Sequence, residues 1–295
     1  MTYTLRELRY VRFGTQDAAS SHQFLTEIVG LENAGKKDGS YYYRSDARAY
    51  SVNMVAGVTK PAIAITVAHR EDLDALEKQL SAHDIASTFG NEAECAERLV
   101  KACLSCTAPN GIIVEFVWRP MTSGWRYFPS RDAGVTEFQT VSLRCKDIAA
   151  NEHFWTEVIG AKVSDWVGDT AYIRLDDKHH AIALYPSSRD GLMGITFNVE
   201  GINNIMQNFY FFQRQQLPIV HGPGHHPASD QIFVTTEAMK IAGQNDEPLM
   251  VTYATGMLTG EENFANPPRQ YRHQPRSYCE WGSYTSVPEF AGDNV

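Results

Sequence analysis

The sequence predicts an α+β protein of two tandem modules, each built of paired βαβββ units whose strands form an open, curved sheet or barrel. Three observations predict this. Tyr10–Leu31, YVRFGTQDAASSHQFLTEIVGL, recurs without a gap as Thr140–Ala161, TVSLRCKDIAANEHFWTEVIGA, so that Val11, Asp17, Phe24, Glu27 and Gly30 pair with Val141, Asp147, Phe154, Glu157 and Gly160. The strand and helix patterns that follow each copy run in the same order. The length of 295 residues suits about two domains. The expected division is 1–120 for the first module, 121–136 for a linker, 137–256 for the second module and 257–295 for a docked tail.

Each repeat reads as a strand, a turn at the Asp and an amphipathic helix ending at the Gly. In the first module, Ser40–Gly57 carries aromatic and β-branched runs that suggest a hairpin, and Pro61–Ala68, PAIAITVA, is a short apolar strand. Leu73, Leu76 and Leu80 then share one helical face. Two further strands flank the turn at Pro109-Asn110-Gly111. Arg119–Val135, with two prolines and two glycines, reads as the connector. In the second module TAYIRLDD and HHAIALYP form a strand pair, and GITFNVEG matches AIAITVAH. NNIMQNFYFFQRQQL replaces the second helix, and IFVTTEAM with PLMVTYAT replaces the last strand pair. The tail is too apolar at Tyr271, Tyr278, Trp281 and Tyr284 for plain disorder, so it is expected to dock.

The chain is 43% hydrophobic and 21% charged, an ordinary globular balance. A net charge of −9 with no Lys/Arg block argues against nucleic acid. No apolar run approaches a membrane span, and the N-terminus lacks a signal-peptide pattern, so the expected location is cytoplasmic. Cys103 and Cys106 form a lone C-x-x-C, which without a second such pair reads as packing.

Two βαβββ copies in tandem are the layout of the vicinal oxygen chelate architecture. DAGVTEFQTVSLRC, HHAIAL, the Gly/Pro loop HGPGHHP, and YATGM before a WG-containing tail resemble the type I extradiol ring-cleaving dioxygenases of the catechol and dihydroxybiphenyl kind. The resemblance implies aromatic-compound metabolism and homo-oligomers. It also implies ferrous iron held by two His and one Glu of the second module. Those positions fall on Thr140, Gly194 and Thr252, none a competent ligand. At roughly 3 kcal/mol per ligand, losing three removes on the order of a millionfold in metal affinity. No metal or other cofactor is therefore expected at that site. In the first module the equivalents are Tyr10, Ala62 and Glu115, and a lone Glu reads as exposed or salt-bridged.

The resemblance places His180 and His226 as acid–base groups beside the substrate, and puts Thr235 where the family has a Tyr. Neutral His is a competent general acid or base without a metal, so His180 and His226 are the catalytic candidates. Thr140, Gly194, Thr235, Thr252, Tyr253 and His179 are the substrate-binding candidates. Trp166, Tyr172, Phe197 and Tyr253 would suit a ring, but each reads more readily as ordinary core. A zinc site of His180, His221, His225 and His226 is disfavoured because adjacent strand residues such as His179 and His180 face opposite ways. The segment Glu237–Pro248 replaces a tight hairpin and reads as a remodelled rim or a tolerated insertion.

Two functional readings stay open. One is an enzyme acting on a phenolic or catecholic molecule through His180 and His226 without the family metal. The other is a non-catalytic binding protein, or a partner subunit related to a dioxygenase.

Overall fold

The computed structural model describes residues 3–57, 60–242, 248–260 and 267–292. Residues 243–247 of the rim segment, and 261–266 and 293–295 of the tail, lie outside them. The first half contains β1 (Leu5–Thr15), α1 (Ala18–Gln23), β2 (Glu32–Lys37), β3 (Ser40–Arg44), β4 (Val52–Ala56), β5 (Ala62–Val67), α2 (Glu71–Ala82), β6 (Ser87–Phe89), α3 (Glu92–Glu97), β7 (Ala102–Thr107) and β8 (Ile113–Trp118). The second contains β9 (Val135–Cys145), α4 (Ile148–His153), β10 (Lys162–Val167), β11 (Thr170–Arg174), β12 (Ile182–Pro186), β13 (Gly191–Val199), α5 (Ile202–Arg214), β14 (Ile219–His226), β15 (Gln231–Lys240) and β16 (Pro248–Thr255). The tail adds β17 (Arg269–Tyr271), α6 (Pro275–Tyr278) and α7 (Pro288–Ala291).

The repeated residues mark one helix built twice. Asp17 and Asp147 are N-caps, accepting from the amides of Ser20 (3.0 Å) and Ala150 (2.9 Å), which satisfies donors that a helix start leaves bare. Thr26 and Thr156 donate back to the carbonyls of His22 and Glu152. Both helices continue as π-helical turns over Phe24–Ile28 and Phe154–Val158. They stop at Gly30 and Gly160, with φ of 84° and 72°, a left-handed cap that favours glycine.

The strands form two open sheets, ordered β2-β3-β4-β1-β5-β8-β7-β6 and β14-β15-β16-β13-β9-β12-β11-β10-β17. Omitting β17, the orders superimpose through the duplication, so each half is a pair of βαβββ units meeting at β1/β5 or β9/β13. Side chains alternate along a strand: Val141 and Leu143 of β9 enter the apolar core, while Thr140 and Ser142 face the sheet's concave side. That core runs through both halves, which are also joined by polar ties such as Tyr253 Oη to the Val29 carbonyl (2.9 Å). Among the described residues no helix is long and apolar enough to cross a membrane.

Two sequence readings are corrected here. HGPGHHP is no loop but most of β14, an irregular strand with two register shifts against β15. Gly222 permits the irregularity: φ is 91°, and a Cβ would lie 2.7 Å from the Phe233 carbonyl. His179 and His180 do not open β12, which starts at Ile182; they lie in the buried turn before it, so strand alternation does not separate them.

Candidate active site

The concave side of the second sheet holds a partly open cavity of about 70 Å³. β9, β13, β15 and β16 supply Thr140, Ser142, Thr196, Thr235 and Thr252; His180, His221, His226 and Gln231 add polar edges, and Tyr172, Tyr185, Phe233, Tyr278 and Phe290 add rings. Against a threshold of roughly 10–15 Å³ for holding a single water, the space is enough for a few waters, and a small ring is the size of occupant it suits.

Of the sequence candidates, His180, His226, Thr140, Thr235 and Thr252 come together on this wall. Thr235 and Thr252 share a hydroxyl–hydroxyl bond of 2.8 Å. Gly194 lies opposite Ser142 and Met250; it offers no side chain, and a Cβ there would stand 3.3 Å from that of Met250. The residue facing both Thr140 and Thr252 is Thr196, which the sequence reading missed. Tyr253 is not at the site. It points from the other face of β16, stacks on Phe212 and bonds the first half. Phe197 is core against Phe138, and Trp166 donates to Glu152. Tyr172 is the one aromatic candidate of that group on the wall.

His179 is corrected from a substrate contact to a support. Fully buried, it sits behind His180 with their Nδ1 atoms 3.0 Å apart, and its Nε2 is 2.8 Å from Asp165 Oδ2. Burial alone would raise the Asp165 carboxyl, but hydrogen bonds from His179 and Arg269 hold it below its ordinary range. An ionised Asp165 makes His179 Nε2–H the donor and leaves His179 Nδ1 an acceptor. His180 Nδ1–H must then donate to it, and His180 keeps a lone pair on Nε2 at the cavity. Arg269 of β17 closes the chain from behind, its Nε donating to Asp165 Oδ1 at 2.9 Å.

His226 is fixed from the other side. The Ser229 amide donates to its Nδ1 (3.3 Å), so its Nε2–H donates to Tyr172 Oη, 2.8 Å away. The Tyr172 ring packs edge-on against His180, with centroids 5.0 Å apart. One wall thus offers an acceptor, His180 Nε2, beside a hydroxyl donor, Tyr172. Burial pushes His180 well below the ordinary His range, helped by its His neighbours. It takes His226 to about 3 and His221 to about 4. His225 points away to Asp230 and Glu280, whose bonds outweigh burial and raise it. At neutral pH the cavity is hydrogen-bonding but uncharged.

The donor set does not fit ferrous iron. Thr140 and Thr252 offer neutral hydroxyls and Gly194 nothing, while among the described residues no carboxylate lines the cavity. Among the described residues no group of three or more His, Cys, Asp or Glu is arranged to hold a metal ion. In the first half the matching face is filled. Glu115, 1% exposed, lies across from Ala64, which faces Tyr10. It accepts from Tyr10 Oη (2.7 Å), Arg12 (3.1 Å) and Arg98 (2.8 Å), a plug where the second half has a cavity.

Asp165 has no signature in the sequence, because a single Asp in a strand carries no signal, and Arg269 and Phe290 have none either, because contacts made by a tail leave no pattern. Comparison with known proteins agrees with the layout. Residues 137–241 match the Glyoxalase/Bleomycin resistance protein/Dioxygenase superfamily, and residues 8–57 match dihydroxybiphenyl dioxygenase BphC D1. Biphenyl-2,3-diol 1,2-dioxygenase of Pseudomonas sp. (strain KKS102) is 29% identical over 206 residues, 61% of this chain and 68% of that protein. BphC, a halotolerant catechol dioxygenase, superposes with a TM-score of 0.85 at 19% identity over 97% of both chains. The Mn(II)-bound glyoxalase from Novosphingobium aromaticivorans superposes at 0.83 and 20% identity, over 99% of this chain and 96% of that one.

Proposed function

We propose that the chain is a member of the glyoxalase/bleomycin resistance protein/dioxygenase superfamily, whose model residues 137–241 match, and that its second module, residues 137–256, takes an uncharged one-ring phenol or catechol and moves a proton at its hydroxyl without the family iron. The relatives it matches include an enzyme named for a biphenyl diol. Among the described residues no lysine or arginine lines the cavity, so a ligand entering already as a phenolate or carboxylate would be buried without a counter-charge, at a cost of several kcal/mol.

The observation that carries an enzyme over a passive binder is the chain Asp165–His179–His180. His180 Nε2 accepts the ligand's hydroxyl proton, and its Nδ1 proton passes to His179 Nδ1. The positive charge then sits on His179 beside Asp165, and the phenolate left in the cavity is held by His180 Nε2–H and Tyr172; its ring carbon ortho to the oxygen takes back a solvent-derived proton before the original one leaves, which exchanges ring hydrogen with no net change of charge or oxidation state. Tyr172, held by His226, donates to the ligand oxygen. Such positioned acid–base pairs contribute typically 10²–10⁴-fold. The low basicity of His180 favours the second reading, a binder or partner subunit in which His180 only accepts a hydrogen bond. Self-association belongs to this reading too, since Trp125 and Phe128 stay 83% and 64% exposed.

Metal-stripped protein supplied with catechols, with proton exchange at the ring and its substituents followed by NMR, tests the proposal. Exchange catalysed by the native chain and lost in His180→Gln supports it. Binding unchanged in His180→Gln with no exchange in either chain leaves the binder.

A further inference from the structure

Most of the cavity wall stands on the second sheet, but Tyr278 and Phe290 come from the tail. Phe290 stacks on His221 with centroids 5.1 Å apart and meets Tyr185 edge-on at 5.2 Å. Its helix, α7, has four residues, too few to hold itself together. The Ser286 amide just before it donates to the Val220 carbonyl of β14 at 3.2 Å, and the side-chain hold of α7 itself is the neighbouring Glu289. Glu289 Oε1 accepts from Arg144 Nε of β9 and from Ser187 Oγ, both at 2.8 Å, and the Glu289 and Arg144 side chains are 4% and 6% exposed. The other carboxylate oxygen, Oε2, is buried with no hydrogen-bond partner. A buried bare oxygen penalises the closed position, and lifting α7 would let water reach it. The clasp is therefore specific but incompletely satisfied.

We propose that α7 is the gate of this cavity: Phe290 is the residue that limits its occupant to one ring, and the Arg144–Glu289 pair is the clasp that shuts it. The proposal rests on the phenol-binding reading above. With the gate shut, Phe290 fills the side of the wall beside His221, Tyr185 and Tyr278, space that a second ring would need. Truncating Phe290 opens that side toward the tail.

The test compares catechol and 2,3-dihydroxybiphenyl binding to the native chain, Phe290→Ala and Glu289→Gln by calorimetry, with hydrogen exchange across residues 286–291. Phe290→Ala is expected to raise the affinity ratio of the two-ring over the one-ring diol roughly tenfold or more, the scale on which apolar pocket contacts discriminate. Glu289→Gln, which keeps the shape but drops the charge, is expected to speed exchange at the Phe290 amide, now bonded to the Val287 carbonyl at 3.0 Å. One-ring binding with an unchanged ratio in Phe290→Ala overturns the size role and leaves the pocket reading standing. Unchanged exchange in Glu289→Gln overturns the clasp whether or not any ligand binds. If no diol binds any chain, the pocket reading falls, and the size role falls with it.

Discussion

Acid should loosen this protein through the cavity histidines, and His226→Gln isolates the effect. His226 is held at about 3 and His221 at about 4 when folded, against about 6.5 in an unfolded chain. Both folded values are depressed, and for a base this means the unfolded state takes up the proton first. Stability is complete above about pH 6.5 and falls as pH drops from there toward the folded values. Between pH 7 and pH 5 each site costs about 1.4 kcal/mol per pH unit below 6.5, or about 2 kcal/mol at pH 5. The pair therefore removes about 4 kcal/mol, a large part of an ordinary stability of about 5–15 kcal/mol. Urea unfolding of the native chain and of His226→Gln at both pH values measures it. The variant should lose about 2 kcal/mol less between pH 7 and pH 5. Equal losses in the two chains would mean that His226 titrates normally in the folded state, and that the cavity is wetter than its buried walls imply.

Three further outcomes follow from single contacts. Tyr172→Phe removes the hydroxyl on His226 Nε2 and should weaken catechol binding about tenfold, one hydrogen bond's worth, with native near-ultraviolet circular dichroism retained. In the first half, Glu115→Gln leaves Arg12 and Arg98 without their buried partner. It should cost about 3–5 kcal/mol in urea unfolding and leave catechol affinity at the distant cavity unchanged. Asp165→Asn removes the acceptor of His179 and Arg269; proton exchange should fall at least tenfold while catechol affinity moves less, a split that calorimetry and NMR on one sample resolve.

Much of the architecture was legible because the duplication is dense where local physics is demanding. Asp17 and Asp147 cap, Thr26 and Thr156 bond back, and Gly30 and Gly160 turn left-handed, so residue identity and conformation are tied at each. That Thr140, Gly194 and Thr252 are poor ligands for iron follows from residue type alone and needs no fold to read. What failed depended on distant partners. His179 and His180 were read as alternating strand residues, but the turn before β12 puts both inside, and only the fold shows Asp165 waiting behind His179. Tyr253 looked like a ring for the pocket, yet its hydroxyl belongs to the carbonyl of Val29 in the other half. Thr196 was overlooked because bulges in β9–β13 pairing set which residue stands across from Thr140. Such contacts span large sequence separations and leave no periodicity to read.

The most direct test of the central claim is catechol titration of the protein after iron, manganese and zinc have been removed, with metal content measured by mass spectrometry on the same sample. The account predicts saturable one-ring binding to metal-free protein, unchanged when ferrous iron is added anaerobically and weakened at least tenfold in His180→Gln. Stoichiometric iron uptake, with binding and ring cleavage appearing only in the iron-loaded protein, would contradict it.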